Sequence, residues 1–339
     1  MLQTADARRG GEGHSKSAFP IVSVITPFYN SADTLERCIN SVLSQSHRDF
    51  EYILADNSST DGSSEIARAF ASADTRIRYV YFDEHLPEQL PNYNRALLLM
   101  SPAAQYCKIV QADDFIYETC LEKMLRLALR NKRIGVVGAI YMNGNELNPV
   151  NANKLTEVSR GTEVCQATLR SEFFAFGSQT SVMYRADLVR ARPEFFNVKA
   201  QFADTDVAFD LLRQNDFGFC RELLTHTTRD PNSKFGQVAS YDIELLYNYM
   251  TVHRIGRYYF TSSELADLKR RLSLAYYERL VQALWRRADR ADYLRFHRSA
   301  LRSNAGMDLN PVKAAAAFVR RVLSVLRRRL GTWFANRPT

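Results

Sequence analysis

IVSVITPFYNSADTLERCINSVLSQS, residues 21–46, is the stretch on which the fold turns. Its first six residues are mostly β-branched and apolar and read as a buried strand that ends at Pro27. From Ser31 the period changes. Leu35, Cys38, Ile39, Val42 and Leu43 recur at spacings of three and four, which predicts a helix over 31–46 with Ser31 as its N-cap. Between strand and helix lies Thr26-Pro27-Phe28-Tyr29-Asn30, a largely polar cluster at a strand's carboxyl end.

The same unit repeats further along the chain. EYILA (51–55) reads as a second strand, followed by the turn-rich loop DNSSTDGS (56–63) and a helix over 63–72. IRYVYF (77–82) is a third strand, 92–100 a helix, and YCKIV (106–110) a fourth strand running straight into Gln111-Ala112-Asp113-Asp114. A helix over 118–131 and a strand over 134–140 follow. This alternation predicts an α/β domain with a mostly parallel sheet covered by helices on both faces. Ligands of such sheets bind beyond the carboxyl ends of the strands. Three polar clusters (26–30, 56–57 and 113–114) are therefore expected on one rim. The second half is less regular, with a strand at 179–184, a helix at 204–214, a short strand at 215–220, and helical, Arg-rich sequence from about 240.

At 339 residues, 46% apolar and 24% charged, the chain can bury a core without disulfide or metal staples. Its five cysteines form no C-x-x-C pair and read as buried hydrophobes of a reducing compartment. No run approaches the ~18–20 apolar residues of a membrane span. Residues 1–18 are polar and glycine-rich, the pattern of a disordered arm and not of a secretory signal. The net charge of +8 is concentrated: Lys313, Arg320, Arg321, Arg327, Arg328, Arg329 and Arg337 carry +7 within 312–339, where there is no acid. The remainder is close to neutral, which argues against a nucleic-acid-binding face.

Adjacent carboxylates after a buried strand repel one another unless a cation lies beside them. Asp113 and Asp114 therefore suggest a divalent ion, Mg²⁺ or Mn²⁺, both of which prefer oxygen ligands and bridge diphosphates. The plainer reading has Asp114 capping the next helix and Asp113 in solvent. For 56–63 the plainer reading is likewise a turn in which Asp61 or Ser63 caps the following helix.

VSVITPFYN (22–30), LADNSSTDGS (54–63) and IVQADDFIY (109–117), in this order, resemble the donor half of family 2 glycosyltransferases, and the resemblance extends over about residues 20–235. It implies the GT-A fold, a Rossmann-like sheet flanked by helices. The expected layout is a catalytic domain over 19–238, with donor half 19–130 and acceptor half 131–238, and a helical extension over 239–339. It further implies that Thr26, Pro27, Tyr29, Asp56, Asn57, Asn94 and Asp113 bind the nucleotide-sugar, and that Asp114 and Asp113 hold the metal. Gln111 stands where many relatives place the first acid of the motif, and Tyr93 where an arginine often precedes the asparagine; Arg95 is a candidate for the missing positive charge. FADTDVAFDLLRQNDFGF (202–219) resembles the acceptor-side segment, with Ala203 in place of the usual glutamate. By that match Asp204 is the general base and Asp206 the acid after it; a helix N-terminus is the plainer reading. Gly177 and Ser178 fall on the acceptor side, and His226 or Asp230, near Arg229 and Ser233, could assist the metal or a phosphate.

The implied activity is metal-dependent, inverting hexosyl transfer from a nucleotide-sugar, with UDP the commonest carrier, to a saccharide or lipid-linked saccharide in surface polysaccharide or glycolipid synthesis. A catalytically silent nucleotide-sugar-binding or scaffold protein is the alternative, and a nucleotidyltransferase is disfavoured because no basic glycine-rich loop follows the first strand. In the tail, Phe318, Val322, Leu326, Leu330 and Trp333 form a helical stripe opposite the arginines. That pattern suits an anionic membrane surface or docking onto 260–300. A cytoplasmic protein, peripheral on the inner membrane face through 312–335, is the expectation, with no nucleic-acid partner.

Overall fold

Val22–Phe28 forms strand β1, buried at all seven positions. The structure, a computed structural model, describes residues 22–148, 152–174, 176–200, 202–229, 236 and 238–335, with 325–335 as backbone only. The arm at 1–18, Asp230, Ser233 and Arg337 lie outside the described residues. Contrary to the expectation from sequence, β1 does not end at Pro27. It pairs in parallel with β2 (Phe50–Asp56) through Pro27↔Ala55 and Phe28↔Asp56. On the far side of β2 lies β3 (Ile77–Tyr81), and on the other side of β1 lies β4 (Tyr106–Ile109), both parallel.

Beyond β4 the sheet becomes mixed. β9 (Val182–Arg185) runs antiparallel between β4 and β6 (Ile134–Asn143), and β10 (Asp216–Thr227) is parallel to β6. The short β5 (Phe115–Ile116) closes the order β3-β2-β1-β4-β9-β6-β10-β5, while β7 (Glu146–Asn148) pairs with β6 and β8 (Val158–Ser159) with β10.

Two apolar layers sandwich this sheet. α1 (Ala32–Leu43), α2 (Ser63–Ala73) and α4 (Cys120–Ala128) cover one face through Leu35, Ile39, Ala67, Leu121 and Met124. The other face is covered by α3 (Gln89–Leu97), α5 (Gly161–Leu169) and α7 (Ala203–Leu212). α6 (Ala186–Arg190) follows β9. The C-terminal helices α8 (Ile243–Ile255), α9 (Ser262–Arg286), α10 (Arg290–Ala305) and α11 (Pro311–Ala335) continue that second layer, since Leu246, Tyr276, Tyr293 and Leu301 share one core with Val207, Phe209 and Phe217. Among the described residues no helix is long and apolar enough to cross a membrane.

Several elements differ from the expectation. The strand foreseen at 179–184 is a 3₁₀ turn (Gln179–Ser181) followed by β9, and the short strand at 215–220 is the twelve-residue β10. Ser31 precedes α1 but makes no side-chain cap. Asp61 does that work for two helices at once, accepting from the Ala32 N–H at 2.9 Å and the Ser63 N–H at 3.1 Å. A carboxylate between two helix N-termini is favoured by both dipoles.

Candidate active site

The carboxyl ends of β1, β2 and β4 are neighbours in the sheet, so residues 26–30, 56–57 and 111–114 reach one rim. The loops there lock together: Asn57 N donates to Phe28 O at 2.9 Å, Thr60 N to Asn30 Oδ1 at 2.8 Å, and Asn30 N to Ser59 Oγ at 3.0 Å. Asn30 and Ser58 hold left-handed backbone, at φ 46° and 65°. Such conformations are uncommon outside glycine and persist when their surroundings enforce them.

Not every residue foreseen at this rim offers its side chain to a ligand. Thr26 is buried and its hydroxyl lies 3.0 Å from that of Tyr52 in the core. Asp56 is fully buried; it accepts from Ser59 N at 2.8 Å, Tyr79 OH at 2.8 Å and Ser64 Oγ. Asn57 holds the Leu86 backbone by two bonds, Nδ2 to O at 2.8 Å and N to Oδ1 at 2.9 Å. Both residues therefore shape the rim. Tyr29, beside Pro27 in the chain, is exposed, and its ring lies 4.2 Å from that of His85, which is in turn 3.0 Å from Asn57 O. This leaves an exposed aromatic ring at the end of β1, suited to stacking on a planar base.

Asp113 and Asp114 follow β4. Asp114 does not cap α4; it is only 1% exposed, and its Oδ1 accepts from the Thr228 N–H at 2.8 Å. Its Oδ2 is buried with no hydrogen-bond partner. Burial, and then the charge of Asp113, push its carboxyl up to about 7, held back by the Thr180 hydroxyl, the Thr228 N–H and Lys108. Lys108 is fully buried and donates to the carbonyls of Thr180 and Val182, the latter at 3.2 Å. Arg37 donates to the Asp113 backbone carbonyl at 2.6 Å. These two cations are thus hydrogen-bonded to carbonyls. An orphaned, buried carboxylate oxygen beside a second acid suits a divalent cation. Mg²⁺ and Mn²⁺ are commonly held by one or two carboxylates and completed by substrate phosphates, and among the described residues no trio of His, Cys, Asp or Glu forms a fuller cage.

The residues foreseen on the acceptor side fall in the 177–181 turn and the first turn of α7. Gly177 sits at φ 63°, and a Cβ there would come within 2.7 Å of both Tyr141 and Ser181. Ser178 Oγ is 2.6 Å from Thr227 Oγ1. Thr180 Oγ1 accepts from Gln111 N at 3.0 Å, which ties this turn to the acidic rim. Asp204 lies in the first turn of α7, half-buried, accepting from Thr205 N at 2.7 Å. Burial pushes its carboxyl up to about 6, the Thr205 N–H pulls it down, and Asp206 raises it. After burial, the Asp204 charge contributes to raising the Tyr141 and Tyr184 phenols. Asp206 is bound to α8: Tyr247 OH donates to it at 2.8 Å and Arg254 pairs with it. Asp204 is thus the less committed of the two acids.

The remaining candidates act as struts. Asn94 clamps the Phe196 backbone with both ends of its amide, at 2.7 and 2.8 Å. Arg95 donates to Asn57 Oδ1 at 2.7 Å and Glu84 O at 3.0 Å, with its guanidinium 3.6 Å from the Phe82 ring centre. His226 stacks on Phe115 at 4.5 Å, its Nδ1 buried without a partner. Sequence reasoning missed Thr228, Arg37 and Lys108. Thr228 lies past the strand end that the reading placed too early, and nothing local marks the other two.

The family model described as Glycosyl transferase family 2 matches residues 23–192. TuaG of Bacillus subtilis (strain 168), a putative teichuronic acid biosynthesis glycosyltransferase, is 37% identical over 110 residues, 32% of this chain and 42% of that protein. The glycosyltransferase GlyG of Streptococcus pneumoniae serotype 4 is 31% identical over 121 residues, 36% of this chain and 39% of that one. The chain thus spans about two fifths of the length of these relatives. Among solved structures, S. aureus TarS 1–349 superposes with a TM-score of 0.60 at 13% identity, covering 83% of this chain and 79% of that one. Mannosyltransferase PcManGT from Pyrobaculum calidifontis, in complex with GDP-Man and Mn²⁺, gives 0.53 at 16% identity over 94% and 84%. At such identities the likeness is one of fold.

Proposed function

The chain belongs to glycosyl transferase family 2, and from that premise we propose that it moves a hexose from a nucleotide-sugar, with UDP as carrier, to an acceptor hydroxyl with inversion. The observation that carries this reading is the Asp113–Asp114 pair with its orphaned oxygen, at a strand end next to the Tyr29 surface. Tyr29 takes the base, and Asp114, with Asp113, holds a divalent cation; that cation, when bound, offsets the charge of the diphosphate as it leaves. Asp204 takes the acceptor hydroxyl's proton as the acceptor oxygen bonds to the anomeric carbon. The bond from that carbon to the diphosphate oxygen breaks, and the nucleoside diphosphate departs with the electron pair. The similarly folded S. aureus TarS 1–349 has been solved in complex with UDP-GlcNAc and PcManGT in complex with GDP-Man and Mn²⁺, which supports a nucleotide-sugar and a metal here.

A panel of UDP, GDP and dTDP tests this reading by thermal shift with and without Mn²⁺. UDP is expected to stabilise the protein most, and only with the metal, by about 2.7 kcal/mol at a hundred times its Kd; a larger shift with GDP or dTDP replaces the carrier. The same shift without metal, or none with any nucleotide, refutes it.

The acceptor is proposed to be a growing surface polysaccharide or a lipid-linked saccharide, reached by a cytoplasmic protein resting on the inner face of the membrane. α11 supports this in an unexpected way. Its small-residue face, Ala314 and Ala317, packs on the core, and Arg320 pairs with Glu278 of α9 at 3.1 Å. Its larger residues stay outside: Phe318 (48% exposed) stacks on Trp285 (58% exposed), and Val319 and Leu323 are exposed with them. Docking and surface binding thus use different faces of one helix. The side chains of Leu326, Leu330 and Trp333 lie outside the described residues. The chain is expected to float with vesicles containing phosphatidylglycerol and to lose most of that binding on Trp285→Ala combined with deletion of 312–339. Equal flotation of the two proteins removes the membrane reading.

A further inference from the structure

Tyr93 lies in α3, nearly buried, between the acidic rim and the core. Its phenolic oxygen receives two hydrogen bonds. The Gln89 amide, one turn earlier on the same helix, donates at 3.0 Å, and the Gln111 amide, at the end of β4, donates at 3.3 Å. A phenol carries one proton, and its oxygen, one lone pair of which is drawn into the ring, accepts at most two hydrogen bonds. With both taken, the hydroxyl can act only as a donor. The Gln111 backbone is anchored, its N–H donating to the Thr180 hydroxyl, which sets where its side chain starts beside the phenol. The oxygen lies within the field of the rim: after burial, which is the main cause, Asp113 and Asp114 each raise the phenol's pKa. A buried hydroxyl forced to donate, beside two carboxylates and a cation site, suits a ligand that brings acceptor oxygens.

We propose that Tyr93 is a donor-binding residue whose O–H donates to a diphosphate oxygen of the nucleotide-sugar, with Gln89 and Gln111 fixing it in the donating sense. This rests on the reading of the rim as a nucleotide-sugar site. It adds a neutral contact where Arg37 and Lys108 are hydrogen-bonded to carbonyls and Arg95 to Asn57 and Glu84. It also gives Gln111 a purpose: an aspartate at that position would accept from the phenol and draw its proton away from the ligand.

The test measures the affinity of Mn²⁺ with UDP, GDP or dTDP, whichever gives the largest shift in the panel above, and of the matching free nucleoside. It uses wild type, Tyr93→Phe and Gln89→Met. A hydrogen bond to a charged group predicts that Tyr93→Phe weakens the diphosphate about 10- to 100-fold and leaves the nucleoside unchanged. Gln89→Met, at an exposed position, keeps the ring and frees one lone pair, so a smaller loss of about two- to fivefold is expected, again for the diphosphate alone. The unliganded Tm of Gln89→Met controls for folding. Diphosphate binding within twofold of wild type in Tyr93→Phe overturns the inference, as does an equal loss for the nucleoside, which marks a structural role. If wild type binds no nucleoside diphosphate, the reading of the rim itself fails.

Discussion

Asp204→Asn is expected to lower sugar transfer by about 10²–10⁴-fold, the usual contribution of a general base, while metal-dependent binding of the nucleoside diphosphate stays as in wild type. The substitution keeps shape and the bond from Thr205 N, so the first turn of α7 is preserved. What it removes is the capacity to take a proton. The pH dependence follows from the carboxyl's displacement to about 6 by burial. A base works ionised, so transfer is flat above about pH 6 and falls roughly tenfold per unit below it. The variant's residual rate lacks that limb. Stability has the opposite sign. The folded state binds this proton more tightly than the unfolded chain, so the favourable contribution is full below the ordinary aspartate value of 3.8 and is lost as pH rises through about 6. The asparagine variant should therefore melt higher than wild type at pH 8 and not at pH 3.5. A variant with wild-type turnover removes Asp204 from the chemistry. One that loses donor binding as well places it in the fold.

The donor half was legible because its strands are short, apolar and closely followed by amphipathic helices, a pattern local enough to read from IVSVIT, EYILA and YCKIV. β10 was not, for a physical reason. Its apolar run is broken by the exposed Arg221 and Glu222, and its pairing with β6 shifts register between Cys220 and Leu223 and again before Thr225. A strand that bulges at mid-length reads as two pieces, so Thr227 and Thr228, which meet Ser178 and Asp114, went unseen. The acids show a second limit. Asp56, Asp61, Asp114 and Asp204 are all loop or helix-start acids in sequence. Only the folded surroundings decide that Asp56 is saturated by Ser59, Ser64 and Tyr79, that Asp61 joins two helix ends, and that Asp114 keeps an oxygen free. The resemblance placed candidate residues at the rim; the partners that set their roles include Tyr79, Ala32 and Thr228, which lie 23, 29 and 114 positions from Asp56, Asp61 and Asp114.

Asp114→Asn should separate a metal ligand from a structural acid by moving two quantities in opposite directions. Wild-type Asp114, its carboxyl raised to about 7, carries a partial charge at neutral pH in a buried site with one oxygen unpartnered, next to a second acid. An unsatisfied buried acceptor costs about 1–3 kcal/mol, and more when charged. Asparagine keeps an oxygen for Thr228 N and removes the charge, so the unliganded protein is expected to melt at the same temperature or higher at neutral pH. Were the acid a strut, losing it would lower the Tm. The liganded protein should behave the other way, because the stabilisation by Mn²⁺ with nucleoside diphosphate disappears with the charge that holds the cation. Transfer should fall by about a thousandfold or more, corresponding to several kcal/mol of charge stabilisation lost from the leaving group. Asp113→Asn, at a half-exposed position, provides the gradation: a weaker metal response and a smaller loss of rate, with little change in unliganded Tm. A metal-dependent shift that survives in Asp114→Asn would move the cation off this residue. A fall in unliganded Tm would make its bond to Thr228 the reason the carboxylate is there.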